Sequence, residues 1–170
     1  MKFAFYTLGC KVNQYETQAM EQLLRAWGHA VGDFSEACDG YIINTCSVTA
    51  VADKKNRAIL RRCRRDNPES VIGVCGCYSQ HDPAAAEKLG ADVIGGSADR
   101  EAFLQRLLQC AQDKQKSRNV DEALKRRSFE ILPAGGLEGR TRAMLKVQDG
   151  CCNFCAYCII PYTRGPIRSA

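Results

Sequence analysis

Three cysteines follow predicted strands and could together bind a metal. The strands and their cysteines are 3–6 with Cys10, 41–43 with Cys46, and 71–74 with Cys77. Because parallel strands end at one edge of a sheet, where ligand sites gather, these thiols are expected to converge. Three thiolates suit an iron–sulfur cube with one iron free of protein ligands, or a zinc ion with an open position. The alternative is three small buried hydrophobic residues, as single cysteines usually are.

A second group of cysteines lies within residues 151–158, where four of eight residues are cysteine. Read from Cys151 through Cys155 to Cys158, the spacing is C-x-x-x-C-x-x-C, which puts three thiols on one tight loop. No fourth cysteine stands nearby as in the ferredoxins, and a zinc ribbon needs a second C-x-x-C pair. The loop therefore indicates one metal centre held by three thiolates.

The composition favours reduced thiols. The chain has 170 residues, 45% of them apolar, and eleven cysteines. An odd count excludes complete disulfide pairing, and the content is below the roughly 8–10% of secreted disulfide scaffolds. Residues 3–9 are too short an apolar run for a secretory leader or a membrane span. We therefore expect a cytoplasmic protein that makes no membrane contact.

Apolar runs alternate with helical patterns over residues 1–112. This alternation predicts an α/β domain with a parallel sheet and helices on both faces. Asn13 is expected to cap the first helix, with Glu16 as the carboxylate of a capping box. The remaining predicted strands are 29–34 and 92–94, and the later helices are 47–65, 84–89 and 98–112.

The rest of the chain has a different character. Residues 113–140 are polar and basic and include a proline–glycine cluster, so we interpret them as a linker. An apolar segment at 143–147 opens a second unit, residues 141–170. The two histidines, His29 and His81, are too few for a metal or acid–base scheme and are expected in surface or loop positions.

One predicted helix carries a row of basic residues, which we call the basic ridge. Its members fall at positions i, i+3, i+7 and i+11 and are Lys54, Arg57, Arg61 and Arg65. An apolar stripe is expected to bury the opposite face, at Ala52, Ile59, Leu60 and Cys63. The ridge predicts contact with the phosphates of an RNA, and the alternative is a solvated surface.

Longer motifs around the cysteines resemble those of the tRNA methylthiotransferases, a family of radical S-adenosylmethionine enzymes. The similar stretches are TLGCKVNQYET (7–17), NTCSVT (44–49) with ADKK (52–55), GCYSQ (76–80), and GRTRA (139–143) leading into DGC (149–151). The sequence around Cys10 is most similar to that of the family branch that modifies threonylcarbamoyladenosine beside the anticodon.

The resemblance implies two 4Fe-4S clusters and assigns no catalytic residue beyond their ligands. An N-terminal methylthiotransferase domain would hold an auxiliary cluster on Cys10, Cys46 and Cys77. The start of a radical partial barrel would hold the second cluster, which binds S-adenosyl-L-methionine, on Cys151, Cys155 and Cys158. In that family the second cluster cleaves the cofactor to a radical that removes hydrogen from C2 of the adenine. The auxiliary cluster delivers sulfur, and a second cofactor molecule gives the methyl group.

The resemblance also implies partners, namely the anticodon stem-loop of a tRNA and an external electron donor. Since twelve residues follow Cys158, we expect an N-terminal fragment that is inactive alone and loosely packed over 141–170. Cys75 and Cys152 could compete as ligands. The alternatives are a methylthiotransferase for isopentenyladenosine in tRNA or for a ribosomal-protein aspartate, a zinc or redox module, and an RNA-binding module without catalysis. The oligomeric state stays open.

Overall fold

A computed structural model describes residues 1–133 and 144–170. Within these residues the main sheet has six strands, all parallel to their neighbours. The strands are β1 (Lys2–Thr7), β2 (Ala30–Gly32), β3 (Gly40–Thr45), β4 (Val71–Gly76), β5 (Val93–Gly95) and β6 (Ser117–Asn119). Every residue of β3 and β4 is buried, as expected for central strands covered on both faces.

Helices cover both faces of this sheet, which confirms the predicted α/β fold. The helices are α1 (Lys11–Ala26), α2 (Ala50–Asp66), α3 (Cys77–His81), α4 (Pro83–Lys88), α5 (Arg100–Asp113) and α6 (Ile160–Arg164). On one face, Met20 of α1 and Phe103 of α5 pack against the sheet. On the other face, Leu60 of α2 and Ala86 of α4 do so. No helix among the described residues is long and apolar enough to cross a membrane.

The strand order creates a crevice at one edge of the sheet. The order is β2-β1-β3-β4-β5-β6, so the chain moves outward in one direction from β1 and in the opposite direction from β3. Parallel sheets with such a reversal bind ligands outside the carboxyl ends of the two strands where the order switches. The segments that follow β1 and β3 therefore flank the position where a ligand is expected.

The first helix begins earlier than the sequence pattern predicts. It starts at Lys11 with Cys10 as N-cap, whose side chain makes no capping hydrogen bond. The predicted capping box of Asn13 and Glu16 is therefore wrong. Both residues lie inside α1 and are fully buried, because they continue the buried face of Met20 and Leu24 at helical spacing.

The sheet also extends beyond the predicted boundary at residue 112. The edge strand β6 comes from the range interpreted as a linker and pairs with β5 through Val93↔Ser117 to Gly95↔Asn119. Its sequence, Ser-Arg-Asn, lacks the apolar residues by which strands are predicted. The division of the chain at 112 and 140 stays a prediction, and residues 134–143 lie outside the described residues.

The C-terminal segment, residues 144–170, has little regular structure. Its two short strands, β7 (Gln148–Asp149) and β8 (Arg168–Ser169), pair antiparallel, and α6 lies between them. Arg164 of α6 is almost fully buried and forms an ion pair with Glu16 of α1. The expectation of loose packing is therefore wrong for the residues around Arg164.

Candidate functional site

The three strand-end cysteines all lie at the carboxyl edge of the sheet. Cys10 follows β1 as the N-cap of α1, Cys46 directly follows β3, and Cys77 directly follows β4 as the first residue of α3. The strands β1, β3 and β4 are adjacent in the sheet, and all three cysteines are free thiols. All three therefore lie at one edge of the sheet, as the strand pattern predicts, with Cys10 and Cys46 after the two strands of the switch point. We call these residues the sheet cysteines.

Two glycines allow close contacts in the turns that carry the sheet cysteines. Gly9 has a φ of +107°, and a Cβ there would lie 2.8 Å from the Sγ of Cys46. Gly76 has a φ of +102°, and a Cβ there would overlap the carbonyl oxygen of Thr45. Residues with a side chain rarely adopt such positive φ angles, and a Cβ at either position would collide with neighbouring atoms. Glycine is therefore required directly before Cys10 and directly before Cys77.

Buried amides hold the turns that carry the sheet cysteines. Asn13 Nδ2 donates to Asn44 Oδ1 at 3.0 Å and to the carbonyl oxygen of Thr45 at 2.8 Å. Asn44 Nδ2 donates back to the carbonyl oxygen of Asn13 at 3.0 Å. Cys10 Sγ donates to Asn13 Oδ1 at 3.2 Å. Asn56 Nδ2 donates to the carbonyl oxygen of Cys46. Buried hydrogen bonds of this kind rigidify a site, although Asn56 Oδ1 is buried without a hydrogen-bond partner among the described residues.

The sheet cysteines interact electrostatically. Cys10 is exposed, whereas Cys46 and Cys77 are only 4% and 2% exposed. Burial raises the pKa of the Cys46 thiol, the backbone N–H of Val48 opposes this rise, and the charges of Cys77 and Cys10 raise it further. Arg164 lowers it. A thiolate at Cys46 is therefore disfavoured until a cation, of the protein or of a metal centre, stands near the group.

The donor chemistry of the site suits a thiolate-bound metal centre. Among residues 1–133 and 144–170, no three His, Cys, Asp or Glu side chains stand close enough together to hold a metal ion as oriented. The backbone nevertheless brings three thiols to one edge, where a side chain at Gly9 would collide with Cys46. Thiolates are the usual ligands of iron–sulfur clusters. The ligand assignment stays a hypothesis.

The other buried cysteines lie elsewhere in the fold. Cys75, two residues before Cys77, is fully buried on the face of the sheet covered by α1 and α5, and burial raises the pKa of its thiol to about 12. Burial likewise raises the pKa of Cys63 to about 12. Since ligands must be thiolates, these two side chains are poor candidates. Cys38 and Cys110 are also buried.

The second group of cysteines lies on a loop before α6, which we call the C-terminal cysteine loop. Cys155 is exposed, and Cys151 and Cys158 are half-buried. The backbone N–H of Cys151 donates to Gly165 and that of Cys158 to Cys155. Tyr157 is 93% exposed. The described residues thus present these thiols at the surface.

Cys152 has a contact of its own on this loop. It is exposed, and its Sγ accepts a 3.4 Å hydrogen bond from the backbone N–H of Ile167. That bond directs the thiol toward the segment that follows α6. Whether Cys152 competes as a ligand stays a prediction.

Sequence reasoning missed a buried ionic cluster between α1 and the C-terminal segment. Glu16 accepts from Arg100 at 2.7 Å, from Arg164 at 2.6 Å and from Lys146 at 3.0 Å. Asp149 is within ion-pair distance of Lys146, Arg164 and Arg168. All six side chains of this group are buried, and we call them the buried ionic cluster.

The cations of the buried ionic cluster keep Glu16 ionised. Burial opposes ionisation of Glu16, but Arg100, Arg164 and Lys146 hold the pKa of this carboxyl well below its usual range. The partners of Glu16 are 84 to 148 residues away in the chain, so no local pattern reveals them. One signal was available, since Glu16 lies four residues before Met20 on the buried stripe of α1.

The basic ridge lies on α2, whose first turn follows Cys46. All four of its side chains are exposed. Of the predicted apolar stripe, Ile59, Leu60 and Cys63 are buried, whereas Ala52 is only half-buried. The charge of Arg65 is partly compensated, because Arg65 pairs with Asp66 at 2.9 Å. The side chain of Arg57 interacts with the hydroxyl of Tyr78.

These features define an α/β protein with a parallel sheet whose carboxyl edge carries three cysteines, followed by a C-terminal cysteine loop. Residues 2–96 match the family described as Uncharacterized protein family UPF0004, and the chain belongs to that family.

Comparison with curated proteins gives relatives along nearly the whole chain. It is 47% identical, over 98% of its length, to threonylcarbamoyladenosine tRNA methylthiotransferase MtaB of Bacillus subtilis, and covers 37% of that protein. It is 34% identical to the MtaB of Aquifex aeolicus, covering 42% of it. It is 30% identical to the tRNA-2-methylthio-N(6)-dimethylallyladenosine synthase of Bacillus pumilus, covering 34%. The chain thus spans well under half the length of these relatives.

Among solved structures, the response regulator DrrB of Thermotoga maritima is similar in fold. The TM-score is 0.52 at 16% sequence identity, over 68% of this chain and 54% of that one. The likeness concerns the doubly wound sheet alone, since both strand order and crevice are general features of such folds.

Proposed function

We propose that the protein belongs to an enzyme that adds a methylthio group to C2 of N6-threonylcarbamoyladenosine next to the anticodon of a tRNA. The observation that carries the proposal is the placement of Cys10, Cys46 and Cys77 after three adjacent strands, at the carboxyl edge of the sheet. The MtaB proteins, which are named threonylcarbamoyladenosine tRNA methylthiotransferases, support it at 34–47% identity. The relatives that act on dimethylallyladenosine have lower identities, 30–32%.

The cofactors of this proposal are two 4Fe-4S clusters and S-adenosyl-L-methionine. The sheet cysteines would hold the auxiliary cluster, and Cys151, Cys155 and Cys158 the cluster that binds S-adenosyl-L-methionine. When bound, these groups supply sulfur and a substrate radical. The chain itself contributes thiolates, a preformed crevice and the buried amides that fix its turns. An external electron donor and a cytoplasmic location belong to the same proposal.

The basic ridge supplies the contact with tRNA in this proposal. Its side chains are exposed on α2, and this helix begins four residues after Cys46. Lysine and arginine at such a place would contact phosphates and orient the RNA without reading its sequence. The modified base would then face the carboxyl edge of the sheet.

Mass spectrometry of tRNA nucleosides tests the proposal. Cells that lack the gene encoding this chain should lose the methylthio group of threonylcarbamoyladenosine and keep that of isopentenyladenosine. A gene copy with Cys10→Ala, Cys46→Ala and Cys77→Ala should not restore it. The matched control, Cys38→Ala, Cys63→Ala and Cys110→Ala, removes three thiols away from the edge and should restore it. Restoration by the first variant would overturn the proposal.

A further inference from the structure

Arg164 reaches the sheet cysteines from the segment that carries the other cysteines. It is the last residue of α6, six positions after Cys158. Its Nη2 atom lies 3.3 Å from Asn13 Oδ1, and the same oxygen accepts the 3.2 Å hydrogen bond from Cys10 Sγ. Asn13 Oδ1 therefore bridges the guanidinium and the first thiol of the site.

The charge of Arg164 is also felt at the other two sheet cysteines. Its guanidinium interacts electrostatically with Cys77 and with Cys46. Burial lowers the pKa of Arg164, but the charges of Glu16 and Cys77 raise it well above its usual value. Among the described residues, it is the arginine that contacts both the buried ionic cluster and the amide holding Cys10. Geometry thus links this buried cation to Cys10 through Asn13, and its charge also acts on Cys46 and Cys77.

The buried ionic cluster has an excess of positive charge. Its four cations, Arg100, Lys146, Arg164 and Arg168, face two carboxylates, Glu16 and Asp149. A third carboxyl, Glu130, accepts from the backbone N–H of Arg100, and burial raises its pKa. Four cations exceed these carboxyls whether or not Glu130 is ionised. Buried charge is costly unless it is balanced, so an anion is expected beside this cluster.

A metal cluster held by three thiolates is such an anion, and reduction makes it more negative. We propose that Arg164 is a positioning residue that balances the negative charge of the cluster held by Cys10, Cys46 and Cys77, and thereby raises the reduction potential of that cluster. The proposal rests on the proposed function, because it requires the sheet cysteines to bind the cluster. Its consequence is that the C-terminal cysteine loop and the sheet cysteines are joined through one side chain.

The test isolates the first site by using this chain with Cys151→Ala, Cys155→Ala and Cys158→Ala. After anaerobic loading with iron and sulfide, the midpoint potential and the rate of iron loss to a chelator are measured. Arg164→Gln should shift the potential to more negative values and speed iron loss by about 10-fold to 100-fold, as loss of outer contacts to metal ligands does. Arg164→Lys, which keeps the charge, should restore most of the potential.

Arg168→Gln is the matched control. Arg168 is a buried arginine of the same ionic cluster, but its contacts are Asp149 and the carbonyl oxygens of Arg164 and Pro166. Its replacement should shift the potential much less than Arg164→Gln does, because Arg168 makes no contact with the amide that holds Cys10. Should Arg164→Gln fail to fold, Glu16→Gln/Arg164→Gln is compared with Glu16→Gln, and the double variant should have the more negative potential.

Two results would overturn the proposal in distinguishable ways. If the chain with the three C-terminal alanines takes up no iron, the proposed cluster site fails, and the role of Arg164 fails with it. If that chain takes up iron but Arg164→Gln has the same potential and the same rate of iron loss, the role of Arg164 alone is wrong.

Discussion

The two groups of cysteines are organised in opposite ways. The sheet cysteines follow three adjacent strands, and buried amides and two glycines with positive φ hold their turns. The C-terminal cysteine loop is short in sequence and exposed, and backbone hydrogen bonds to Gly165 and Cys155 hold it. Topology therefore brings together the first group, whereas sequence spacing brings together the second. The buried ionic cluster connects the two regions through Glu16.

The largest expected effect comes from removing that connection. Glu16→Gln leaves Arg100, Arg164 and Lys146 without their shared carboxylate. Breaking a buried pair from one side costs about 3–5 kcal/mol, so the free energy of unfolding in urea should fall by that amount. Glu36→Gln removes an exposed partner of Lys2 and is the control, with little change. Equal effects of the two variants would mean that the buried ionic cluster does not join the regions.

Acid should weaken the same connection. Because neighbouring cations hold the pKa of Glu16 well below its ordinary value of 4.5, its ionised form stabilises the folded state fully above about pH 4.5. That contribution is lost as the pH falls below 4.5 toward the lowered pKa. Unfolding at several pH values should show this loss in the unmodified chain. A Glu16→Gln chain with the same acid dependence would contradict it.

Thiol reactivity should separate the cysteines by region. In the metal-free chain, iodoacetamide should first label the exposed Cys10, Cys152 and Cys155. Cys63 and Cys75, whose burial raises their pKa to about 12, should react at least about 100-fold more slowly at pH 8, since the thiolate is the nucleophile. Peptide mass spectrometry gives the rates. Rapid labelling of Cys75 would show that the carboxyl edge of β4 opens.

The basic ridge should give a smaller effect on RNA binding. Replacing Arg57, Arg61 and Arg65 with alanine should weaken tRNA binding and lower the slope of log affinity against log salt by about 2–3. The control variant replaces Lys114, Lys116 and Arg118, of which Lys116 and Arg118 already pair with Asp92 and Glu87. If both variants lower the slope equally, the ridge is not the contact surface.

The sequence predicts the first region better than its connection to the second. Strand ends are visible as apolar runs, so the positions of Cys10, Cys46 and Cys77 follow from a parallel sheet. The strand β6 could not be predicted from the sequence, because this edge strand is polar and has no apolar stripe. The burial of Arg164 could not be predicted either, because an ion pair between distant residues leaves no periodic pattern in the sequence. Capping rules misassigned Glu16 because a helix start and a buried stripe overlap there.

Iron content measures the central claim most directly. The unmodified chain, the variant with alanine at Cys10, Cys46 and Cys77, and the variant with alanine at Cys151, Cys155 and Cys158 are loaded anaerobically with iron and sulfide. Each variant should bind about half the iron of the unmodified chain and keep the broad absorption of an iron–sulfur cluster. Iron content in the first variant equal to that of the unmodified chain, or a colourless chain that takes up only zinc, would contradict a cluster on the sheet cysteines.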